Sequence, residues 1–342
     1  MSGFDPAVSA IPWQMRFDMR RGPSSPASRE DLYKTALEMC AYAEKHGCSN
    51  VIISEHHGSA DGYLPSALTM AAAVAAVTDR LRVNISALIL PLLDPIHAAE
   101  ETLVVDQISR GRVDVIVGLG YVRAELAMFG LEDQSRVRLL EEKLPVYRDA
   151  LTGEPVVVDG RTVTVTPGPV QDPRPQVLLG GTVPAAARRA ARLADGLHCI
   201  VPRDQLAPHY LAERERLGLD EGLIVGGDGP SGSLFVSDDP DRSWAEMAPQ
   251  LLHEVNSYGR WAQESGANKH LYQPTDDLGA VKAMGMYEVT DPVQAAEYVA
   301  NAGPAGPILH PLVGGTPPEI AWEMLQRFVD DVLPMLGKSQ VK

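Results

Sequence analysis

Short runs rich in apolar residues alternate with longer runs whose apolar residues recur every three or four positions. This alternation continues along almost the whole 342-residue chain. "WQMRFDM" (13–19) is the first strand-like run. A helix is predicted from about Arg29 to His46, with Ser28 and Asp31 as a capping box, a stripe of Leu32, Ala36, Met39 and Ala43, and Gly47 at its end. "NVIIS" (50–54) is the second strand, and an Ala-rich helix over 65–78 is apolar on most sides, as a covered helix would be. "LRVNISALIL" (81–90) leads to a helix opened by Asp94 and Pro95, carrying Ile96, Ala99 and Leu103 on one face and ending at Gly111. "RVDVIVG" (112–118) is followed by a helix over 135–151, and the next segment reads as a small hairpin. "PQVLLGG" (175–181), "GLHCIV" (196–201), "GSLFVS" (232–237) and "GPILHPLVGG" (306–315) complete the strands, with helices at 184–194, 204–217 and 317–335.

Eight strands, each followed by helical sequence, predict an α/β fold: a single (β/α)8 TIM barrel over residues 1–342. Residues 238–290 are too long for a plain connection and are expected to be an insertion after strand seven, a candidate lid. Active sites of such barrels form at the C-terminal ends of the strands. The residues expected to converge there are Glu55–His57, Leu90–Asp94, Gly118–Tyr121, Gly180–Thr182, Val201–Pro202 and His310–Gly315.

Composition narrows the partners. The formal net charge is −15 and Lys and Arg are scattered singly, which argues against nucleic acid. Cys40, Cys48 and Cys199 have neither disulfide nor zinc spacing and suit buried thiols in a reducing cytoplasm. The first residues lack the basic and apolar regions of a signal peptide, and no run of about 18 apolar residues is present to span a membrane.

Several motifs fail on inspection. "LGKS" (336–339) lacks the upstream glycine of a P-loop. Gly227, Gly229 and Gly232 have dinucleotide spacing, but Pro230 interrupts them and a strand follows where a helix is needed. His56–His57 lacks the spacing of a zinc pair, so no metal is expected. What remains is "SEHHGSADGYLP" (54–65), an imidazole pair beside a carboxylate at a strand mouth, and "GGT" (180–182) at a strand-to-helix junction. There, bare backbone N–H groups beside a helix N-terminus make a phosphate cradle.

The ordered set "EHH", "LILPLLDPIHAAEETLVVDQISRGRVDVIVGLGY" (88–121), "MFG" (128–130), "SR" (135–136), "VLLGGTVPAAARRAARLADG" (177–196) and the closing "PLVGGTPPEIAWEMLQRFVDDVLPML" resembles the bacterial luciferase-like flavin-dependent monooxygenases and their deazaflavin-dependent relatives. The resemblance covers residues from about 50 to 336. It implies a flavin held at the rim, with His56 as proton donor or acceptor and Arg136 on the phosphate beside Gly180, Gly181 and Thr182. It also implies a non-prolyl cis peptide at Ser86–Ala87 beneath the ring, with Gly118, Gly120 and Tyr121 near the cofactor. One departure stands out: where the luciferase branch has a further phosphate arginine, this chain has Leu119. Glu55, His57, Tyr63, His198 and His310 are expected to line the substrate side, while Asp61 and Trp13 suit structural roles.

The expected protein is a cytoplasmic two-component monooxygenase using reduced FMN and O2 on a small organic substrate, supplied by a separate flavin reductase and, as the resemblance implies, homodimeric. Two alternatives stay open: an F420-dependent oxidoreductase moving hydride to or from an alcohol, carbonyl or imine, and a flavin-binding barrel without turnover.

Overall fold

The computed structural model describes residues 12–338 apart from 133–134, 229–231, 268 and 270. In chain order the elements are β1 (Trp13–Phe17), α1 (Arg29–Lys45), β2 (Cys48–Ile53), α2 (Ala67–Ala76), β3 (Arg82–Leu88), α3 (Pro95–Ser109), β4 (Val113–Val117), α4 (Arg123–Met128) and α5 (Arg136–Ala150). The hairpin β5 (Val156–Val158) and β6 (Arg161–Val163) precedes β7 (Val177–Gly181), α6 (Pro184–Leu193), β8 (Gly196–Cys199), α7 (Arg203–Arg216) and β9 (Leu223–Gly226). Then come β10 (Ser233–Val236), α8 (Pro240–Ser265), α9 (Leu278–Ala283), β11 (Tyr287–Thr290), α10 (Pro292–Ala300), β12 (Ile308–Leu309), α11 (Pro318–Arg327) and α12 (Leu333–Lys338).

The main sheet runs β11–β10–β12–β1–β2–β3–β4–β7–β8–β9. All of its pairs are parallel. The pairing of β12 with β1 joins the last expected strand to the first, the wrap-around of a (β/α)8 barrel. Two strands went unforeseen: β9 beside strand six and β11 beside strand seven, with the seam of the barrel between them. β9 is only partly buried and runs into glycines, so its apolar run is cut short, and β11 lies inside the stretch expected to be an insertion. The helix α4 was also missed, and the C-terminal helix is broken by a π-turn at Phe328–Val332. Strand eight shrinks from the expected 306–315 to two residues, because a 3-10 turn occupies Val313–Gly315.

Local chemistry accounts for the elements that hold. The Ser28 hydroxyl accepts the Asp31 N–H at 3.0 Å, and α1 buries Leu32, Ala36, Met39, Cys40 and Ala43. Asp94 accepts the N–H groups of Ile96 and His97 at 2.9 and 3.0 Å, with Pro95 at the first helical position. Met15, Phe17, Val51, Ile53, Val83, Ile85, Val115 and Val117 are fully buried in one core, each stabilising by about 1.5–3 kcal/mol. Trp13 joins them, packed on Phe328 at 5.1 Å. Among the described residues no helix is long and apolar enough to cross a membrane.

One buried cation ties the second and third βα units together. Arg112, at the entry to β4, donates to the carbonyls of Ser109 (2.6 Å), Leu81 (2.5 Å), Ala75 (3.0 Å) and Thr78 (2.8 Å) and to the Thr78 hydroxyl (3.0 Å). A Met at this position keeps the volume but leaves these acceptors unbonded. Arg112→Met is expected to lower unfolding free energy by about 3 kcal/mol in urea titration.

Candidate active site

The loop after β2 turns back over β1. Gly58 and Gly62 take φ values of +64° and +73°, which other residues adopt only with strain. Their turns let the Leu64 N–H reach the Asp18 carbonyl (2.9 Å) and the His56 N–H reach the Leu64 carbonyl (3.1 Å). His56 is thereby held at the rim, buried, among the rings of Trp261 (4.6 Å), Tyr63 (4.7 Å) and Tyr121 (5.6 Å). Its Nδ1 lies 2.6 Å from Oε1 of Glu125, which also accepts the His57 N–H at 2.9 Å. Glu125 sits on α4 and is 1% exposed, its second oxygen without a hydrogen-bond partner. In the neutral ring the carboxylate keeps the proton on Nδ1 and leaves the lone pair on Nε2.

Glu55 faces the neighbouring histidine. It accepts the N–H groups of Ala67 (3.2 Å) and Ile89 (3.3 Å) and approaches Nε2 of His57 at 3.4 Å. It thus ties the start of α2 and the end of β3 to the rim, while the His57 ring meets Phe129 edge-on at 5.0 Å.

Next along the rim, the Ser86–Ala87 peptide bond is cis. Gly118 presses against it: a Cβ there would stand 2.9 Å from the Ala87 methyl, and the Gly118 N–H donates to the Leu88 carbonyl at 2.8 Å. Gly120 has φ +72° with an Ile89 methyl beneath it. Packing therefore explains both glycines, and the Gly118 N–H is already committed. Gly181 is bare because a Cβ would collide with the Ala186 methyl, whereas at Gly180 the protein leaves ordinary room for one. Gly180 pairs in register with His198. Burial pushes that imidazole down to about 4, so it is neutral at pH 7, and its Nδ1 has no partner. Thr182 and Val183 lead into α6, whose N-terminus has no side-chain cap. Arg136 is half-buried in the first turn of α5.

His310 lies farther round the rim, in a second cluster. Its Nε2 faces Asp18 Oδ2 at 3.7 Å and its Nδ1 faces Glu254 Oε2 at 3.8 Å, all three residues being at most 1% exposed. The three offer ligand atoms within 4.8 Å of one another. A cation is poorly suited here, because the two ring nitrogens point to different carboxylates and arginines already stand beside them. Arg20 Nε is 3.5 Å from Asp18, and Arg16 is 3.8 Å from Glu254. Burial works to raise the Asp18 carboxyl, but His310, Arg20 and Arg16 hold it well below the carboxylate range.

Asp61 links the cluster to the loop. It accepts from Ser59, from the Tyr63 N–H (3.1 Å) and from His253 Nε2 (2.9 Å), and stands 3.7 Å from Arg20. These contacts outweigh burial and hold its carboxyl at about 2.

The residues that sequence reasoning passed over are Arg16, Asp18 and Arg20, Glu125 on the unforeseen α4, and His253, Glu254, Tyr258 and Trp261 on α8. A signal existed for the first group. Arg16 in β1 and Asp18 and Arg20 just beyond it alternate in sequence with Met15, Phe17 and Met19, and charges so placed at the end of a central strand mark a polar spot at the rim.

Two outcomes test this geometry. In long-range ¹H–¹⁵N spectra at alkaline pH, His56 is expected to carry its proton on Nδ1, and Glu125→Gln to weaken that tautomer preference. Asp61 has a lowered folded-state value, so its stabilisation is complete above an ordinary carboxyl pKa of about 4 and is lost as pH falls through about 2. Asp61→Asn should therefore lower the urea midpoint at pH 6, with the gap from the parent protein closing as pH falls from about 4 toward about 2.

Comparison with known proteins identifies the family. Residues 15–306 match the family model of the luciferase-like monooxygenases. The uncharacterised protein y4vJ of Sinorhizobium fredii is 26% identical over 236 residues, which is 68% of this chain and 65% of that protein. The F420-dependent glucose-6-phosphate dehydrogenase of Microbacterium testaceum is 26% identical over 329 residues, covering 88% of this chain and 93% of its own length. Among solved structures, the oxygenating constituent of 3,6-diketocamphane monooxygenase from Pseudomonas putida, in complex with FMN, superposes with a TM-score of 0.69 at 16% identity, over 95% of this chain and 98% of that one. The chain belongs to the luciferase-like monooxygenase family, whose flavin- and F420-dependent members make it an enzyme of the oxidoreductase class.

Proposed function

We propose that this chain is the oxygenating component of a two-component monooxygenase, working with reduced FMN and O2 on a small organic substrate. The observation that carries the reading is the His56–Glu125 pair, an imidazole fixed in one tautomer inside an aromatic enclosure. Such a group moves a proton to or from a reacting oxygen, and the surrounding rings exclude the water that would compete.

The rim residues fit a flavin. The bare backbone at Gly180, the uncapped start of α6 and Thr182 suit its phosphate, with Arg136 as the counter-charge. His198 offers an uncharged nitrogen beside Gly180, and the bend at Ser86–Ala87 offers a seat for the ring. When bound, reduced FMN supplies the electrons and the reaction with O2. The protein's part is to hold it, to manage the proton at Nε2 of His56 and to keep the site dry. The insertion contributes here, since Tyr258 and Trp261 of α8 reach His56 at 6.2 and 4.6 Å. This reading includes a separate flavin reductase and a cytoplasmic homodimer.

The second reading keeps the site and changes the cofactor to F420, with His56 as the acid or base of a hydride transfer. Leu119, where a phosphate arginine would stand, and the near full-length similarity to an F420-dependent dehydrogenase favour it.

Titration of the purified protein with FMN and with F420, followed by cofactor fluorescence, separates the two. FMN binding alone is expected; F420 binding alone overturns the oxygen chemistry, and binding of neither removes the cofactor. His56→Ala should fold and bind FMN while losing about 10²–10⁴-fold in turnover, and full activity in that variant ends the mechanism.

A further inference from the structure

The most conspicuous unmet group at the rim is the guanidinium of Arg20. It is fully buried, and none of its three nitrogens has a hydrogen-bond partner among the described residues. Its charge is compensated, by Asp18 at 3.5 Å and Asp61 at 3.7 Å, but both contacts are ion pairs without hydrogen bonds. Asp18 Oδ1 accepts the Arg20 backbone N–H, while its Oδ2, the oxygen facing Nε, itself has no hydrogen-bond partner among the described residues. Asp61 serves Ser59, Tyr63 and His253. A buried guanidinium left in this state is costly, and folded proteins rarely tolerate it without a partner such as water or a ligand.

The faces of the guanidinium are closed by rings. Its carbon lies 4.3 Å from the centre of Tyr258, 4.6 Å from Tyr63 and 5.2 Å from Trp261. With the faces stacked, its unused hydrogen-bonding capacity is the in-plane N–H edge, which matches two oxygens of one planar oxyanion. The same three rings surround His56, so a group held on that edge shares its walls with the working imidazole.

The cluster brings cations as well as carboxylates to this place. His310 Nε2 and Nδ1 face Asp18 and Glu254 at 3.7 and 3.8 Å, beyond hydrogen-bond distance. Arg16 and Arg20 stand among Asp18, Asp61 and Glu254, so an incoming anion does not meet the carboxylates unopposed.

Resting on the oxidoreductase reading of this site, we infer that the substrate is a carboxylate on a flat apolar body. Its oxygens dock on the N–H edge of Arg20, while its body lies among Tyr63, Tyr258 and Trp261 beside His56. Arg20 is the anchoring residue, and Arg16 holds the Tyr258 hydroxyl in place at 2.7 Å.

The test uses benzoate and its uncharged isostere benzamide, titrated against the full chain by quenching of tryptophan fluorescence, without cofactor and again with whichever of FMN or F420 binds. Benzoate is expected to saturate at least ten-fold more tightly than benzamide, and Arg20→Lys, which keeps the charge but loses the fork, to remove most of that preference. Equal affinities, or an undiminished preference in Arg20→Lys, overturn the proposal. A crystal structure of the unmodified protein with benzoate decides the matter even if the variant fails to fold, since a carboxylate seated away from Arg20 refutes it. Failure here with intact cofactor binding leaves the oxidoreductase reading standing, and a benzoate preference without cofactor binding does the reverse.

Discussion

The parallel pairing of every strand in the main sheet is the constraint from which the rest follows. Parallel strands must each be returned by a crossover, so helices cover the sheet and all C-terminal ends come to one rim. Residues far apart in sequence meet there for that reason alone. His56 follows β2, Tyr121 follows β4 and Glu125 lies on the short helix after it, yet the three are in contact. Gly118 touches Ala87 because β3 and β4 are neighbours, and Gly180 pairs with His198 because β7 and β8 are.

Two buried polar systems occupy that rim, and they differ in kind. The His56–Glu125 system is small and directional: a short hydrogen bond fixes one tautomer, and a backbone N–H steadies the carboxylate. The system built on Arg16, Asp18, Arg20, Asp61, Glu254 and His310 mixes both signs of charge, and Asp18, Arg20, Glu254 and His310 each keep side-chain atoms without hydrogen-bond partners among the described residues. Burying ions without completing their bonds is a weak way to stabilise a fold. Such a group beside His56 adds little to the stability of the fold by itself.

The barrel was legible because apolar runs alternate with helical stripes, and because Ser28, Asp94 and Pro95 mark helix starts chemically. Glu55, His56, His57 and Gly180 could be placed at strand ends because those ends are legible. Legibility ends where the signal is weak or distant. The strand β9 is only partly buried, β11 lies inside the stretch expected to be an insertion, and α4 is six residues. Glu125 meets His56 across 69 positions of chain, and Arg20 meets Trp261 across far more. Nothing local marks either pair. Gly118 and Gly120 carry a packing requirement that no local pattern announces, set by β3 against the chain leaving β4.

The helix α8 brings Glu254, Tyr258 and Trp261 to the rim at intervals of four and three residues, from a single face of one helix. The His56–Glu125 pair, by contrast, is held by the end of β2 and by α4. The two sets of side chains therefore reside on separate stretches of chain, which meet at the His56 ring and through the Tyr63–Tyr258 and Asp61–His253 contacts. A lineage can rebuild the stretch that carries α8, and so reshape the walls around His56, while the His56–Glu125 hydrogen bond is inherited untouched.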